Sequence, residues 1–192
     1  ARLECRKRTL PKRQWFGVDP LTLPLMKDPD NGLNVPLVLL ILKDLLTMLD
    51  GPKSEGIFRK AGLESEMTTI KERINDGLAF SCDNQHTIAT LMKRWYKALP
   101  CRMLANVPRD DESDEFALRY PSYLTSFDTR LMSWLLDLLL DVVEHQEDNL
   151  MDPKNCAIVW GPGMIGSAQE TALTGSHMDM GAMAGLTDTR FG

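Results

Sequence analysis

Residues 54–62 read S-E-G-I-F-R-K-A-G, a short loop in which two large apolar side chains come directly before two cations. Ile57 and Phe58 are predicted to anchor this loop by burial, at roughly 1.5 to 3 kcal/mol each. A loop anchored in this way can hold Arg59 at a fixed place on the surface. The arginine side chain stays charged, and its planar set of N–H donors fits phosphate oxygens. Arg59 is therefore either a residue that recognises a phosphate or one more solvated surface cation, as most arginines are.

Helical periodicity flanks this loop and recurs along most of the chain. Apolar residues repeat at three- and four-residue steps, which is the pattern of helices that bury one face. The predicted helices cover about 36–49, 63–76, 86–99 and 129–146, with a short helix at 115–119 and another that starts at Pro153 and ends at Gly161-Pro162-Gly163. The helix over 129–146 is apolar around nearly its whole circumference, so we expect it at the centre of the core. The proline- and aspartate-rich stretch from 20 to 32 is predicted to be irregular, turn-rich chain.

The overall composition is that of an ordinary soluble globular protein. The chain has 192 residues, of which 43% are hydrophobic and 26% are charged, and its net charge is −5. This balance argues against a nucleic-acid binder. Cys5, Cys82, Cys101 and Cys156 lie far apart with no C-x-x-C pair, which disfavours the common zinc sites and fits reduced thiols in the cytosol. No apolar run approaches the roughly 20 residues that a membrane helix needs. A cytoplasmic location is therefore predicted.

The first 14 residues are strongly basic. Six cations stand there against the single acid Glu4. Such a run either makes weak contact with an anionic membrane surface, which would recruit the protein there, or forms a solvated tail or linker, and the second alternative is favoured. We therefore expect a basic tail over 1–14 and a folded domain over 15–192, in which structural signals are weak from 167 onward.

Four stretches, taken together and in order, resemble one known family, the GTPase-activating domain of Rho-family GTPases (RhoGAP). G-I-F-R at 56–59 resembles the arginine-finger loop of that family, and F-G-V at 16–18 resembles the usual entry to its domain. L-M-K-R-W-Y-K-A-L-P at 91–100 is similar to the family's L-K-x-x-x-R-x-L-P helix. N-L-M-D-P-K-N-C-A-I-V-W-G-P at 149–162 is similar to its N-K-M-x-x-x-N-L-A-x-V-F-G-P segment. The resemblance runs from about 16 to 165, which is most of the chain.

This resemblance implies an all-α fold, a RhoGAP-like helical bundle, whose partner is a Rho-family small GTPase in its GTP-bound state. It implies that Arg59 is the arginine finger, that Lys93 supports the loop and the partner contact, and that Asn155 is a polar residue at the groove that faces the GTPase. Lys97 and Lys60 are further candidates for partner binding. The chain would then be an activator without a reaction of its own. It would need no cofactor, because GTP and Mg²⁺ are carried by the partner.

Two departures from the family pattern bear on these expectations. Lys97 stands where the family has arginine, which keeps the charge but loses bidentate hydrogen bonding. Gly163 stands where Asn or Thr is frequent. The first departure leaves open an alternative: a catalytically weak or inactive module of the same fold that only binds GTPases or scaffold partners.

A third alternative is a hydrolase that acts alone, with Cys82 or Cys101 as nucleophile and His86 as base. The sequence supports it poorly, because no nucleophile motif surrounds either cysteine. His86 lies near the predicted start of a helix, where a capping or core role is the more common one.

Overall fold

Helices dominate the part of the chain that the computed structural model describes, which is residues 9–108 and 116–165. They are α1 (Leu37–Met48), α2 (Glu64–Asn75), α3 (Gln85–Lys97), α4 (Phe116–Arg119), α5 (Ser126–Val143), α6 (Gln146–Asn149) and α7 (Pro153–Ile165). The other regular elements are strands β1 (Leu25–Lys27) and β2 (Asn34–Pro36) and short 3-10 turns at Pro20–Thr22, Gly51–Lys53 and Tyr120–Tyr123. The predicted all-α fold is confirmed.

The predicted limits of α1, α2 and α3 agree with the observed ones to within two residues, whereas those predicted for α5, 129–146, lie three residues too late at both ends. The chain leaves α2 through Gly77, which has φ +71°, as expected for a glycine after a helix. The side chain of Asn84 caps α3 by accepting hydrogen bonds from the backbone N–H groups of His86 and Thr87. The helix α5 starts at Ser126, three residues before the predicted start at 129, because Thr125 caps it by accepting a hydrogen bond from the N–H of Asp128.

The predicted end of the last helix at Gly161-Pro162-Gly163 is wrong, since α7 continues to Ile165. A proline inside a helix removes one backbone hydrogen bond but has a φ that fits helical geometry. The last turn is supported from outside, because the N–H of Leu104 donates to the carbonyl of Met164 at 3.1 Å.

A short antiparallel hairpin begins inside the stretch 20–32 that was predicted to be irregular, and its second strand follows directly after that stretch. Met26 lies opposite Val35 in its register, and residues 28–33 form the turn that joins the two strands. In that turn the N–H of Asp28 donates to the carbonyl of Leu33 at 2.8 Å, and Gly32 adopts φ +75°. Strands of three residues are too short to give a readable alternation of apolar and polar residues. For this reason only the turn was visible in the sequence.

The core is built around α3, which packs against α1, α2 and α7. The predicted apolar stripe of α3 is fully buried, and its members are Ile88, Leu91, Met92 and Trp95. By contrast, α5 was expected at the centre of the core, but one part of its apolar surface faces solvent, since Leu136 is 43% exposed and Leu140 is 60% exposed. An apolar pattern identifies the faces of a helix that can be buried, but a neighbouring element must be present to cover each of them.

Residues 9–14, which were assigned to a basic tail, lie against the domain. Leu10 is buried, and the N–H of Arg13 donates to the carbonyl of Asn75 at the end of α2, at 2.8 Å. The ammonium group of Lys12 lies 3.5 Å from the carboxylate of Asp76. The other basic residues of this stretch lie among residues 1–8, outside the described part of the chain.

A buried ion pair fastens the hairpin to α1 and α5. Asp28 is 1% exposed, and its carboxylate accepts hydrogen bonds from the ammonium of Lys43 at 3.0 Å and from the indole N–H of Trp134 at 2.6 Å. Burial alone would raise the pKa of Asp28. The backbone N–H of Asp30, Lys43 and Trp134 outweigh that effect and hold the pKa below its usual value.

We expect Asp28→Asn to lower the free energy of unfolding by about 2 kcal/mol at pH 7, because hydrogen bonds to a charged group are lost. The folded-state pKa of Asp28 lies below its unfolded value, so its stabilising effect is complete above that unfolded value and is lost as the pH falls through the folded-state pKa. The free energies of unfolding of wild type and Asp28→Asn, measured with urea at pH 7 and pH 3, should therefore differ less at pH 3.

The matched control is Asp30→Asn, because Asp30 meets the same ammonium at 2.7 Å but its side chain is 71% exposed. Its effect should stay below about 1 kcal/mol. A gap for Asp28→Asn that does not change between the two pH values would show that the ionised carboxylate contributes nothing.

Candidate functional site

The loop from Ser54 to Gly62 connects the turn at Gly51–Lys53 to α2 and presents Arg59 to solvent. Ile57 and Phe58 are both 0% exposed, which confirms the prediction that they anchor the loop. Arg59 is exposed, and among the residues that the structure describes none forms a hydrogen bond or ion pair with its guanidinium. The loop therefore combines a fixed backbone with an available cation.

The turn that aims Arg59 is backbone-strained at Phe58. Phe58 has φ +64°, a left-handed conformation that is uncommon for a bulky residue. Gly56 precedes it with φ +67°, and its carbonyl accepts hydrogen bonds from the N–H groups of Arg59 and Lys60 at 2.9 and 2.8 Å. Such strain persists only where the surroundings hold the residue in place. Three sets of contacts do so here.

Asn149, the last residue of α6, fastens the start of the loop. It is 0% exposed, and its side-chain amide donates to the carbonyls of Pro52 and Val142, both at 2.6 Å. Its side-chain oxygen accepts from the N–H of Met151 at 2.7 Å, and its backbone carbonyl accepts from the N–H of Gly56 at 2.7 Å. One buried residue thus ties the loop to the end of α5 and to the segment that leads into α7.

Gly62 fastens the end of the loop against the first turns of α3. A Cβ at this position would lie 2.3 Å from the Cα of Thr87, so only glycine permits the approach. The N–H of Gly62 donates to the hydroxyl of Thr90 at 3.0 Å, and the N–H of Leu63 donates to the hydroxyl of Thr87 at 3.3 Å. The loop is therefore held at both ends.

Lys93 reaches the loop from the middle of α3. Its ammonium group donates a hydrogen bond to the carbonyl of Phe58, the residue immediately before Arg59. The side chain is half-buried, and this burial lowers the pKa of the ammonium. Lys93 thus bonds directly to the loop backbone, and support of the loop is one of the two roles that were predicted for it.

A groove of about 260 Å³ opens between α3 and α7 beside the loop. Lys93 and Lys97 line its α3 side, and Trp160, Pro162 and Gly163 are among the residues on its α7 side. Lys97 is exposed, and within the described residues it forms no hydrogen bond or ion pair. The structure thus brings the two predicted lysines together in one concave surface.

The other two predicted partner-binding residues lie elsewhere. The ammonium of Lys60 is engaged by its own loop, at 3.0 Å from the carboxylate of Glu55. Asn155 lies in the first turn of α7, where its amide donates to the carbonyl of Leu150 at 3.2 Å. It is not among the residues that line the groove between α3 and α7.

Within the described residues, neither Cys82 nor Cys101 forms a hydrogen bond with His86, and the thiol of Cys101 donates to the carbonyl of Arg102 at 3.7 Å. Burial raises the pKa of the Cys82 thiol to about 11, so it stays protonated at neutral pH, and the thiol donates to the carbonyl of Asn84 at 3.3 Å. Over residues 9–108 and 116–165, no three His, Cys, Asp or Glu side chains come together as ligands of a metal ion would. None of the helices in these ranges combines the length and apolar character needed to cross a membrane.

Sequence reasoning missed Asn149 and Trp160 as parts of this site. Trp160 is 4% exposed and packs edge-to-face on Phe58, with ring centroids 5.0 Å apart. Both residues lie inside the 149–162 stretch that resembles the family segment, but no local pattern distinguishes them from ordinary core and turn residues. The ion pair of Arg94 with Glu64, in which two N–H groups meet two carboxylate oxygens, was also not predicted.

Comparison with known proteins identifies the family. The family model of the RhoGAP domain matches residues 36–169, which is more than half of the chain. The chain is 32% identical over 178 residues to Rho GTPase-activating protein 5 of Arabidopsis thaliana, covering 90% of this chain and 54% of that protein. It is 34% identical over 168 residues to Rho GTPase-activating protein gacA of Dictyostelium discoideum, covering 83% and 48%. The chain belongs to the RhoGAP domain family.

Solved structures show the same fold. The crystal structure of human Rho GTPase activating protein 15 aligns with a TM-score of 0.62 at 18% identity and covers 87% of each chain. The BH domain of Graf, the GTPase regulator associated with focal adhesion kinase, aligns with a TM-score of 0.54 at 18% identity and covers 69% of this chain and 82% of that one. The chain spans about half the length of the two curated relatives described above.

Proposed function

We propose that this chain accelerates GTP hydrolysis by a GTP-loaded Rho-family small GTPase, and that Arg59 is the arginine finger that it inserts into the active site of that partner. The proposal rests on the difference in exposure between Arg59 and the two residues before it in the loop. Arg59 is exposed, whereas Ile57 and Phe58 beside it are fully buried. A rigid loop that offers a free guanidinium is what donation of a cation to another active site requires.

The chemistry belongs to the partner. In GTP hydrolysis negative charge builds up on the transferred phosphoryl group, and there is little covalent chemistry for protein groups to perform, so positioning and electrostatic stabilisation dominate. A guanidinium can bridge two of the oxygens that gain charge. In this proposal the chain makes and breaks no bond alone and has no cofactor of its own. The GTPase carries GTP and Mg²⁺, and the loop also helps to hold the partner's glutamine and attacking water in place.

The loop is fastened before the partner arrives, which favours catalysis. Ordering a loop on binding costs conformational entropy, and that cost reduces the energy available for the transition state. Here Asn149, Gly62 and Lys93 already hold the backbone around Arg59. The backbone around Arg59 therefore needs little further ordering when the complex forms.

The partner-binding surface is proposed to be the groove between α3 and α7, together with the loop. Lys97 supplies an unpaired positive charge there, and Lys93 adds a second one beside it. Lys60 and Asn155 are proposed to make contacts at the margin of this surface, Lys60 after releasing Glu55. An acidic surface on the GTPase would complement the two lysines and speed association.

Two further proposals concern the cellular setting. We propose a cytoplasmic location, in keeping with a GTPase partner. Weak contact with an anionic membrane through residues 1–14 would recruit the protein to the membrane surface.

The competing proposal is a module that docks on GTPases without activating them. Lys97 supports it, because an ammonium in place of the family's arginine loses bidentate contacts. The exposed Arg59 on its fastened loop favours activation. A single-turnover assay of GTP hydrolysis with purified Rho- and Rac-type GTPases separates the two. Acceleration of one or more of them supports activation, whereas binding to GTP-loaded GTPases without acceleration would establish the docking module.

Lys93 and Lys97 offer a matched pair of variants. We expect Lys93→Met to lower the maximal single-turnover rate about 10-fold and the free energy of unfolding by about 1.5 to 3 kcal/mol, because the hydrogen bond to the carbonyl of Phe58 is lost. Lys97→Met should leave the free energy of unfolding within about 0.5 kcal/mol of wild type.

The effect of Lys97→Met on binding should also depend on salt. It should weaken association with the GTPase more at low salt than at high salt, because dissolved ions screen the attraction of an exposed charge. Equal losses of stability in the two variants would contradict the supporting role assigned to Lys93.

A further inference from the structure

The residue immediately before Arg59 lies at one end of a series of edge-to-face aromatic contacts that joins Phe58, Trp160, Tyr96 and Trp95. The ring of Phe58 meets the indole of Trp160 at a centroid distance of 5.0 Å and an interplanar angle of 64°. On its other contact, the same indole meets the ring of Tyr96 at 5.5 Å and 87°. Both pairs have the edge-to-face geometry that aromatic rings prefer. Through Trp160 and Tyr96, these contacts connect the loop to α7 and then to α3.

The contact between Phe58 and Trp160 holds the strained backbone of the loop in place. Phe58 has φ +64°, so its backbone would relax toward negative φ if its side chain were released. Its side chain is 0% exposed and is held by the indole, while its carbonyl is held by Lys93. Without the ring contact, Phe58 itself would be held only through its carbonyl, while Asn149 and Gly62 would still fasten the two ends of the loop. The direction in which Arg59 projects would then become less well defined.

The indole acts here through its shape. Trp160 is 4% exposed, and its Nε1–H is buried without a hydrogen-bond partner among the described residues. A buried donor without a partner is unfavourable, so hydrogen bonding does not account for this side chain. Its contribution must come from packing, and phenylalanine can supply part of the same ring contact without the unpaired N–H.

We propose that Trp160 is a positioning residue for Arg59: its indole, held between Tyr96 and Phe58, keeps the loop in its left-handed turn and so fixes the guanidinium for the transition state. The inference rests on the proposed function, in which Arg59 is the finger. Trp160 lies 101 positions after Arg59 in the chain and would influence catalysis without touching the nucleotide. Trp160 also lines the groove beside Lys93 and Lys97, so a partner bound there would press on the same ring.

The test is a double-mutant cycle in single-turnover GTP hydrolysis at saturating concentrations of this chain, corrected for the folded fraction of each variant. Trp160→Leu should lower the maximal rate about 10-fold, with a smaller change in the half-saturating concentration. In an Arg59→Ala background the same substitution should have almost no further effect, because it acts through Arg59. Trp160→Phe should stay within about 3-fold of wild type, because the ring contact is largely kept.

Trp134→Leu is the matched control for general damage to the core. Trp134 is equally buried, but its indole meets Asp28 and Lys43 at the hairpin. It should lower stability without lowering the maximal rate of the folded protein. A similar fall in maximal rate for Trp134→Leu would overturn the proposal. So would a Trp160→Leu substitution that lowers the rate by the same factor in the wild-type and Arg59→Ala backgrounds.

Limited trypsin digestion tests the same inference without any GTPase. Trypsin cleaves after Arg59 and Lys60 only when the loop opens locally, so the initial cleavage rate there reports the population of the open loop. Trp160→Leu should raise that rate about 10-fold over wild type, and Trp160→Phe and Trp134→Leu should not. Unchanged cleavage in Trp160→Leu would refute the inference. A wild-type chain that accelerates no GTPase would refute the proposed function while leaving this readout interpretable.

Discussion

Arg59→Ala is expected to lower the single-turnover rate of GTP hydrolysis at saturating concentrations of this chain by about 10³-fold or more. An arginine finger is worth 10³ to 10⁵ in the Ras system, or about 4 to 7 kcal/mol of transition-state stabilisation. The loop should keep its structure, because the side chain of Arg59 is exposed and bonds to none of the described residues. Binding to the GTP-loaded partner should therefore be largely retained.

Arg59→Lys is the matched variant for this prediction. It keeps the positive charge and much of the length of the side chain, but an ammonium cannot bridge two oxygens in the way a guanidinium does. We expect it to recover only a small part of the lost rate. Full activity in Arg59→Lys would show that charge alone is sufficient, and undiminished activity in Arg59→Ala would exclude the finger role.

Asn149→Ala is expected to produce the largest loss of stability, about 3 to 5 kcal/mol. The substitution removes two donated hydrogen bonds and one accepted hydrogen bond inside the protein, at Pro52, Val142 and Met151. The backbone groups left behind lose their partners, and each unsatisfied buried group costs about 1 to 3 kcal/mol. Urea unfolding followed by circular dichroism measures the change.

Asn155→Ala is the control from the same segment. Its side chain makes one hydrogen bond, at 3.2 Å, from a partly exposed position. We expect a loss below about 1.5 kcal/mol. Equal losses for the two asparagines would contradict the role of Asn149 as the residue that ties the loop to α5 and α7.

The elements that the sequence predicts well are those whose signals are local. The stripe of α3 repeats at helical steps, and the burial of Ile57 and Phe58 follows from their size between glycines. The position of Lys93 on the same helix as Lys97 also follows from spacing alone. The functional interpretation of these features came from the family resemblance, and the RhoGAP family match over residues 36–169 agrees with that resemblance.

The features that escaped prediction depend on residues far apart in the sequence. Asn149 meets Pro52 across 97 positions, and no pattern in a single sequence encodes that pairing. The positive φ of Phe58 is equally invisible, because the left-handed region is expected at glycine rather than at an aromatic residue. The contact of Phe58 with Trp160 can be recognised only once α7 is placed against the loop.

Two expectations differ from the structure for a related reason. A Gly-Pro-Gly run usually ends a helix, but α7 continues through it because Leu104 supports its last turn. The nearly all-round apolar pattern of α5 predicted a helix at the centre of the core, but Leu136 and Leu140 are exposed. In both places the outcome is set by neighbouring elements, which a local pattern does not contain.

The central claim, that Arg59 stabilises the transition state in a partner's active site, is tested most directly by two binding measurements. The affinity of this chain is compared for a Rho-family GTPase loaded with GDP and aluminium fluoride, which mimics the transferred phosphoryl group, and for the same GTPase loaded with a non-hydrolysable GTP analogue. Groups that act on the transition state favour its analogue. We expect wild type to bind the aluminium fluoride complex more tightly and Arg59→Ala to lose this preference. An equal preference in both proteins would contradict the central claim.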